Sequence, residues 1–319
     1  MAGLPTRVFF VADVHGSAIC WRKFVNAAKV YRADVLLVGG DIAAKTLTPV
    51  FEENGHWSTA LDGATRTATS ASELDALENW LRDGATVPFR TSRAEWEELR
   101  ARAGALDEVF DRLAGEELSR WLAWSRPRLA GTPTRLLVGL GNDDLTSMER
   151  VILEDGFAEL TDREVLRLDD HHELVTLPFS NPTPWKTHRE LPEEAIAQYL
   201  DERVARLTHP ESAVFNAHVP PYGTPLDLAP RLDDTLTKVM RAGGETDLIH
   251  VGSTAVRSAL ERHQPLLGLH GHIHESRGST QIGRTLSMNC GSAYTEGALL
   301  GALVDLGDSE IRASVLTSG

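Results

Sequence analysis

Residues 7–13, Arg-Val-Phe-Phe-Val-Ala-Asp, form an almost unbroken apolar run that ends at a polar turn, the pattern of a strand buried on both faces. Over 17–31 the apolar residues Ile19, Trp21, Phe24, Val25 and Ala28 recur at helical intervals, and 33–38 returns to an apolar run. Together they predict a β-α-β unit. Asp13 and Asp41 fall just past its two strand ends, where catalytic groups of open α/β sheets gather. Strand-like sequence resumes at 135–140, and further strands are predicted at 165–168, 173–179, 213–217, 248–251, 266–269 and 285–288. These alternate with predicted helices at 192–207, 232–242 and 255–262, and the runs 301–306 and 311–316 close the chain as two more strands. The alternation predicts an α/β fold.

The pattern breaks between 48 and 130. Glycine and threonine scatter through 48–70, as in a hairpin or loop, whereas 72–82, 92–103 and 106–125 read as helices. Ser72 and Asp75 give the first of these a weak capping pattern. We read 48–130 as a mostly helical insertion in a single domain spanning 1–319. Its Trp80, Trp96, Trp121 and Trp124 are expected to pack it onto the body, with the lining of a pocket as the alternative.

Charge and cysteine usage narrow the function classes. The chain carries 32 Lys and Arg against 46 Asp and Glu, a net charge of −14. That disfavours a general nucleic-acid binder, which uses cationic side chains to displace counterions. No apolar run approaches the roughly 20 residues of a membrane-spanning helix, and residues 1–10 lack the layout of a secretory signal. Cys20 and Cys290 are the only cysteines, which excludes a disulfide framework and fits a reducing cytoplasm.

Five segments join metal-capable side chains to glycine or to a strand end: Asp13-Val-His15, Gly39-Gly-Asp41, Gly141-Asn-Asp143-Asp144, Ala217-His218 and Gly271-His272-Ile-His274. Singly they are weak, because a D-x-H or H-x-H is more often a surface or core feature, and a G-D or G-N is usually a turn. As an ordered set, four of them following predicted strands, they offer oxygens and imidazoles suited to Mn, Fe, Zn or Ni.

The ordered motifs D-x-H, G-D, G-N-x-D, H and G-H-x-H resemble those of the calcineurin-like metallophosphoesterases. The resemblance implies a four-layer α/β/β/α sandwich of two mixed β-sheets with a site at the strand ends. Carried over residue by residue, it implies Asp13, His15 and His274 on one metal ion and Asn142, His218 and His272 on a second, with Asp41 bridging both. Asp41, Asn142 and Asp143 are then the candidate catalytic residues. Two divalent cations roughly 3.5–4 Å apart need an anionic bridge, and a water shared between them becomes acidic enough to attack phosphorus as hydroxide, in line with the leaving oxygen. Mn²⁺ is the first choice of ion, with Fe, Zn, Ni and Mg as alternatives.

One position departs from the pattern. Many relatives read G-N-H-D or G-N-H-E, and this chain has Asp143 in the histidine slot. Nearby dications lower a carboxyl pKa, so Asp143 is a poor proton donor and better leaving groups are favoured. The expected activity is a phosphodiesterase acting on a small nucleotide-like phosphodiester or pyrophosphate. A phosphomonoesterase or nuclease on the same scaffold, and a non-catalytic interaction protein, are the alternatives. Asn181, Arg189 and Tyr222 are candidate substrate contacts, and Asp144 is a candidate for orienting a histidine. His270 is expected as a buried group behind the ligands, and His56, His171, His172, His188, His209, His250 and His263 as surface or turn residues. The expected partner is a small phosphoester, not a membrane or nucleic acid. The insertion is open to two roles: covering the site, or contacting a second copy in a homo-oligomer.

Overall fold

Side chains of the apolar runs alternate between two faces, and both faces are covered. In the computed structural model, which describes residues 4–241 and 243–319, Val8, Phe10, Val35, Leu37 and Leu137 of one sheet pack with Leu174, Val214, Leu267, Leu269 and Met288 of another. Their chain neighbours Phe9, Val11, Leu36, Val38, Leu136 and Val138 point the other way, onto helices Ala18–Tyr31, Ala105–Leu129 and Thr146–Asp155. The second sheet likewise turns Val175, Leu177, Phe215 and Ala217 outward, onto Glu193–Val204 and Thr254–His263. The result is the expected α/β/β/α sandwich, and burial on both faces is why these strands read as continuous apolar runs rather than alternating ones.

The first sheet has the order Ile311–Ser318, Leu300–Leu306, Thr6–Val11, Val35–Gly39, Arg135–Gly139, Glu159–Leu160. The last four run parallel, and the two closing strands are antiparallel. The second sheet has the order Gly278–Ile282, Thr285–Asn289, Leu267–His270, Val214–Ala217, Glu173–Leu177, Leu166–Arg167. Its four inner strands are parallel and its edges antiparallel. Every metal-capable motif therefore leaves the C-terminal end of a parallel strand, in one sheet or the other.

Besides a helix, Thr146–Asp155, and a strand, Gly278–Ile282, that the pattern does not predict, two stretches differ from expectation. The insertion is mostly helical but also holds a four-stranded sheet, in the order Ala64–Ala68, His56–Leu61, Leu47–Glu53, Val87–Thr91. Serines cap two of its helices: Ser70 accepts from the Glu73 amide and Ser92 from the Glu95 amide. Of its tryptophans, Trp121 stacks on Trp21 of the body with ring centroids 4.9 Å apart, and Trp124 packs on the same cluster. Trp80 and Trp96 instead serve the insertion's own packing, against the Leu77–Leu81 cluster and against Phe51 and Phe89. The second is the predicted helix over 232–242, whose final residue, Ala242, lies outside the described residues. The rest is not helical but extends a hairpin, with Leu228–Pro230 antiparallel to Leu248–His250 and bridges Leu232 to Lys238 and Met240 to Thr246. Asp233 explains why, since its Oδ1 accepts from the amides of Thr235 and Thr237 at 2.8 and 3.0 Å. Local bonds of this kind compete with the helix. Among the described residues no helix is long and apolar enough to cross a membrane.

Candidate metal centre

The loops after Val11 and Gly39 run side by side. Asp13 N donates to Gly40 O, His15 N to Asp41 O and Gly16 N to Ile42 O, at 2.8–3.0 Å. This pairing holds Asp13, His15 and Asp41 at φ of 57°, 39° and 54°, and His272 of the last loop lies at 65°. A left-handed backbone costs an L-residue about 1–2 kcal/mol, and here it falls on four proposed ligands. Two glycines let the carboxylates lie close to backbone. A Cβ at Gly141 would overlap the Asp41 carboxylate, and one at Gly271 that of Asp13.

The seven proposed ligands, from both sheets, meet at one rim. His15 Nε2 and His274 Nε2 are 3.1 Å apart, and Asp13 Oδ1 lies 3.3 Å from His274 Nε2 and 3.8 Å from His15 Nε2. Asp41 Oδ2 lies 3.3 Å from His218 Nε2 and 3.7 Å from His15 Nε2, between the two groups. Within each of the sets Asp13, His15, His274 and Asp41, His218, His272, the donor atoms lie within 4.8 Å of one another. Asn142 joins them through its orientation. Its Nδ2 donates to Asp143 Oδ1 at 3.1 Å and to Thr187 Oγ1 at 2.9 Å, leaving Oδ1 buried without a hydrogen-bond partner. His218 Nδ1 donates to the Gly39 carbonyl at 3.0 Å, which aims Nε2, also without a hydrogen-bond partner, at the cluster. Lone pairs held by a bond on the far side of the side chain are how proteins present metal ligands. The donor set therefore fits two divalent cations.

Electrostatics point the same way. Burial pushes Asp13 and Asp41 up, but facing imidazoles, His274 first for Asp13 and His218 for Asp41, hold both below the ordinary carboxylate range. Burial opposes charge on His218, yet Asp41 and then Asp13 pull it up to about 10. Two buried carboxylates thus demand positive charge between them. Burial takes His15 down to about 3 and His272 to about 4, keeping both in the neutral form a metal accepts.

Other candidates fall differently. Asp144 orients no histidine; its Oδ1 accepts from the amides of Ile42 and Ala43 at 2.8 and 2.7 Å, and its Oδ2 from Gly141 N at 2.8 Å. It staples the Gly39–Asp41 and Gly141–Asp143 loops together. Burial and the Asp41 charge push its carboxyl up to about 7 against those donors. Asp143 lies at the rim, pushed up by burial and by Asp41, with its Oδ2 3.0 Å from Lys45 Nζ. His270 is fully buried, its ring bonded to the Ala217 carbonyl and to Ser287 Oγ at 2.8 Å each.

A cleft of about 930 Å³ opens over the cluster, lined by Asp41, Asn142, His272 and His274 at the centre, by residues 181–188, and by the hairpin arm. Asn181 lines it, although its Nδ2 is spent on the carbonyls of Val251 and Gly252. Arg189 and Tyr222 do not line it. The Arg189 guanidinium turns inward to the Asp144 carbonyl, Asp162 and Glu149, and Tyr222 sits against His250. The cleft instead gathers Lys45, Phe110, Trp185 and His188, none of them among the candidate contacts; His188 is expected at the surface.

No family model matches the chain. It is 32% identical over 130 residues to the uncharacterized protein MJ1162 of Methanocaldococcus jannaschii, a match that covers 40% of this chain and 51% of that one. The chain thus spans about half the length of this curated relative. One solved structure aligns over 98% of this chain and 99% of its own, with a TM-score of 0.58 and 16% identity. TT1561 of Thermus thermophilus aligns over 99% of both chains, with a TM-score of 0.52 and 14% identity. The likeness to these solved structures is one of fold, and the cluster of histidine and carboxylate donors lies at the strand ends of that sandwich.

Proposed function

We propose that the protein is a dinuclear metal-dependent phosphoesterase, acting as a phosphodiesterase on a small nucleotide-like phosphodiester or pyrophosphate. The observation that carries this reading is the convergence of six carboxylate and imidazole donors in two adjoining sets, with Asn142 beside them turning an unpartnered Oδ1 inward. Asp13, His15 and His274 would hold one ion, Asn142, His218 and His272 the other, and Asp41 would lie between them; Mn²⁺ is the first candidate. Bound there, two divalent ions supply Lewis-acid charge to phosphoryl oxygens and acidify water.

The chain's own residues do the rest. Asp41 offsets the repulsion of the two charges, and Asp144 keeps the two loops that carry Asp41 and Asn142 in register. Asp143 is paired to Lys45 and so is poorly placed to give a proton to a leaving group, which favours esters whose leaving group needs none. The cleft is far larger than one phosphate, and Trp185, Leu232, Leu236 and Ile249 line it, a surface suited to an apolar or planar substituent. Both cysteines are buried and unpaired, in keeping with a cytoplasmic location. The net charge of −14 speaks for a small substrate over a nucleic acid.

The test is hydrolysis of bis(p-nitrophenyl) phosphate after chelation and Mn²⁺ titration, followed by a screen of cyclic nucleotides, dinucleotides and nucleoside diphosphate conjugates. Asp41→Asn is expected to lower kcat/KM at least 100-fold and the metal content below two per chain. A purified protein that takes up no divalent metal refutes the reading.

A further inference from the structure

We propose that Lys45 is the cation that binds the substrate phosphate beside the metal cluster, and that Asp143 is its positioning residue. The inference rests on the phosphoesterase reading and assigns a role within that same site. Lys45 Nζ lies 3.0 Å from Asp143 Oδ2, and Asp143 is itself fixed on two sides: its amide donates to Asp41 Oδ1 at 2.9 Å, and its Oδ1 accepts from Asn142 Nδ2 at 3.1 Å. The ammonium is thus one residue removed from two proposed ligands. Its backbone is anchored as well, because Asp144 grips the amides of Ile42 and Ala43 just before it.

The pair is not accounted for as a structural brace. The Lys45 side chain is 44% exposed, and half-exposed ion pairs add little stability. An ammonium has three donors; one is directed at Asp143, and Lys45 lines the cleft with Asp41, Asn142 and His274. The remaining donors are available to an anion on the ions. Lys186 and Lys238 also line the cleft, but among the described residues no ion pair ties either to the cluster. With two divalent ions in place the rim attracts a phosphoryl anion, and a tethered cation on the side that carries Asp143 adds a further donor to it.

The test uses the full chain reloaded with Mn²⁺ and inorganic phosphate as the probe, its affinity read by calorimetry, with metal content and thermal midpoint measured in parallel. Lys45→Met is expected to weaken phosphate binding at least tenfold, with two metal ions per chain retained and the midpoint within about 2 °C of the parent. Lys45→Arg is expected to keep affinity within threefold. Asp143→Asn is expected to weaken phosphate two- to fivefold with metal content unchanged, and on a chromogenic diester to raise KM more than it lowers kcat. Phosphate affinity unchanged in Lys45→Met overturns the proposal while leaving the metallophosphoesterase reading intact. Loss of metal in Asp143→Asn would show Asp143 to be a ligand and overturn its positioning role. A parent protein that binds metal but no phosphate overturns the proposal, and one that binds neither overturns the reading beneath it.

Discussion

Trp121→Ala tests how the insertion is attached. Trp121 is 7% exposed, lies on the helix Ala105–Leu129 and stacks on the fully buried Trp21 of helix Ala18–Tyr31, with an interplanar angle of 24°. Removing a buried tryptophan costs about 3–5 kcal/mol, of which about 0.5–1.5 kcal/mol belongs to an aromatic pair of this geometry. A neighbouring hydroxyl tightens the same joint, since Trp21 Nε1 donates to Ser125 Oγ at 3.0 Å and Ser125 Oγ donates to the Trp121 carbonyl at 2.7 Å. Urea unfolding followed by far-ultraviolet circular dichroism, which does not depend on the deleted fluorophore, should show a loss of about 4 kcal/mol for Trp121→Ala. Ser125→Ala should lose about 1–3 kcal/mol, because it strands the buried indole donor. A double-mutant cycle with Trp21→Ala should return about 1 kcal/mol of coupling. A loss below about 1.5 kcal/mol, or a coupling near zero, would refute the claim that this stack holds the insertion to the body.

Asp144→Ala frees three amides in the two loops bearing Asp41 and Asn142; metal affinity, measured by competition with a chromogenic chelator, should fall about 10–100-fold. Removing the ions should lower stability by about 4 kcal/mol for each ion whose free concentration had stood at 1,000 times its dissociation constant, a difference scanning calorimetry resolves with and without chelator. The carboxyl of Asp169 gives a pH-dependent case. Burial raises it, but hydrogen bonds from His172, Thr6 and the His171 amide hold it well below the usual range. Its stabilisation is complete above the unfolded value near 4 and is lost as the pH falls toward its folded value. Asp169→Asn should therefore cost about 1–2 kcal/mol at pH 7, and its gap to the parent in urea midpoint should narrow between pH 5 and pH 3. A gap that does not move with pH would contradict this origin.

The strands around the cluster were legible because burial on both faces writes long apolar runs, and the proposed ligands because few residue types offer metal lone pairs at a strand end. Residues 232–240 misled for a physical reason. Leu232, Leu236, Val239 and Met240 are spaced as a helix would space them, and only the short-range bonds of Asp233 reveal a hairpin. The insertion's sheet was faint because strands such as Ala64–Ala68 are largely exposed and rich in Ala and Thr, so neither face leaves a pattern. Arg189 had the right charge for a phosphate, but its course is decided by Asp162 and Glu149, 27 and 40 positions away. Lys45 belongs to no motif, and only the fold shows that Asp143 reaches it.

The order of strands in the first sheet has a bearing on how the chain is made. Thr6–Val11 finds its partner on one side within 30 residues but on the other only when the distant Leu300–Leu306 arrives. Until that strand is made, this Val- and Phe-rich strand exposes one open edge, the feature that invites pairing with foreign chains. Truncated forms lacking the closing hairpin should therefore aggregate rather than merely lose activity, which marks the C-terminal strands as guardians of solubility as much as parts of the sheet.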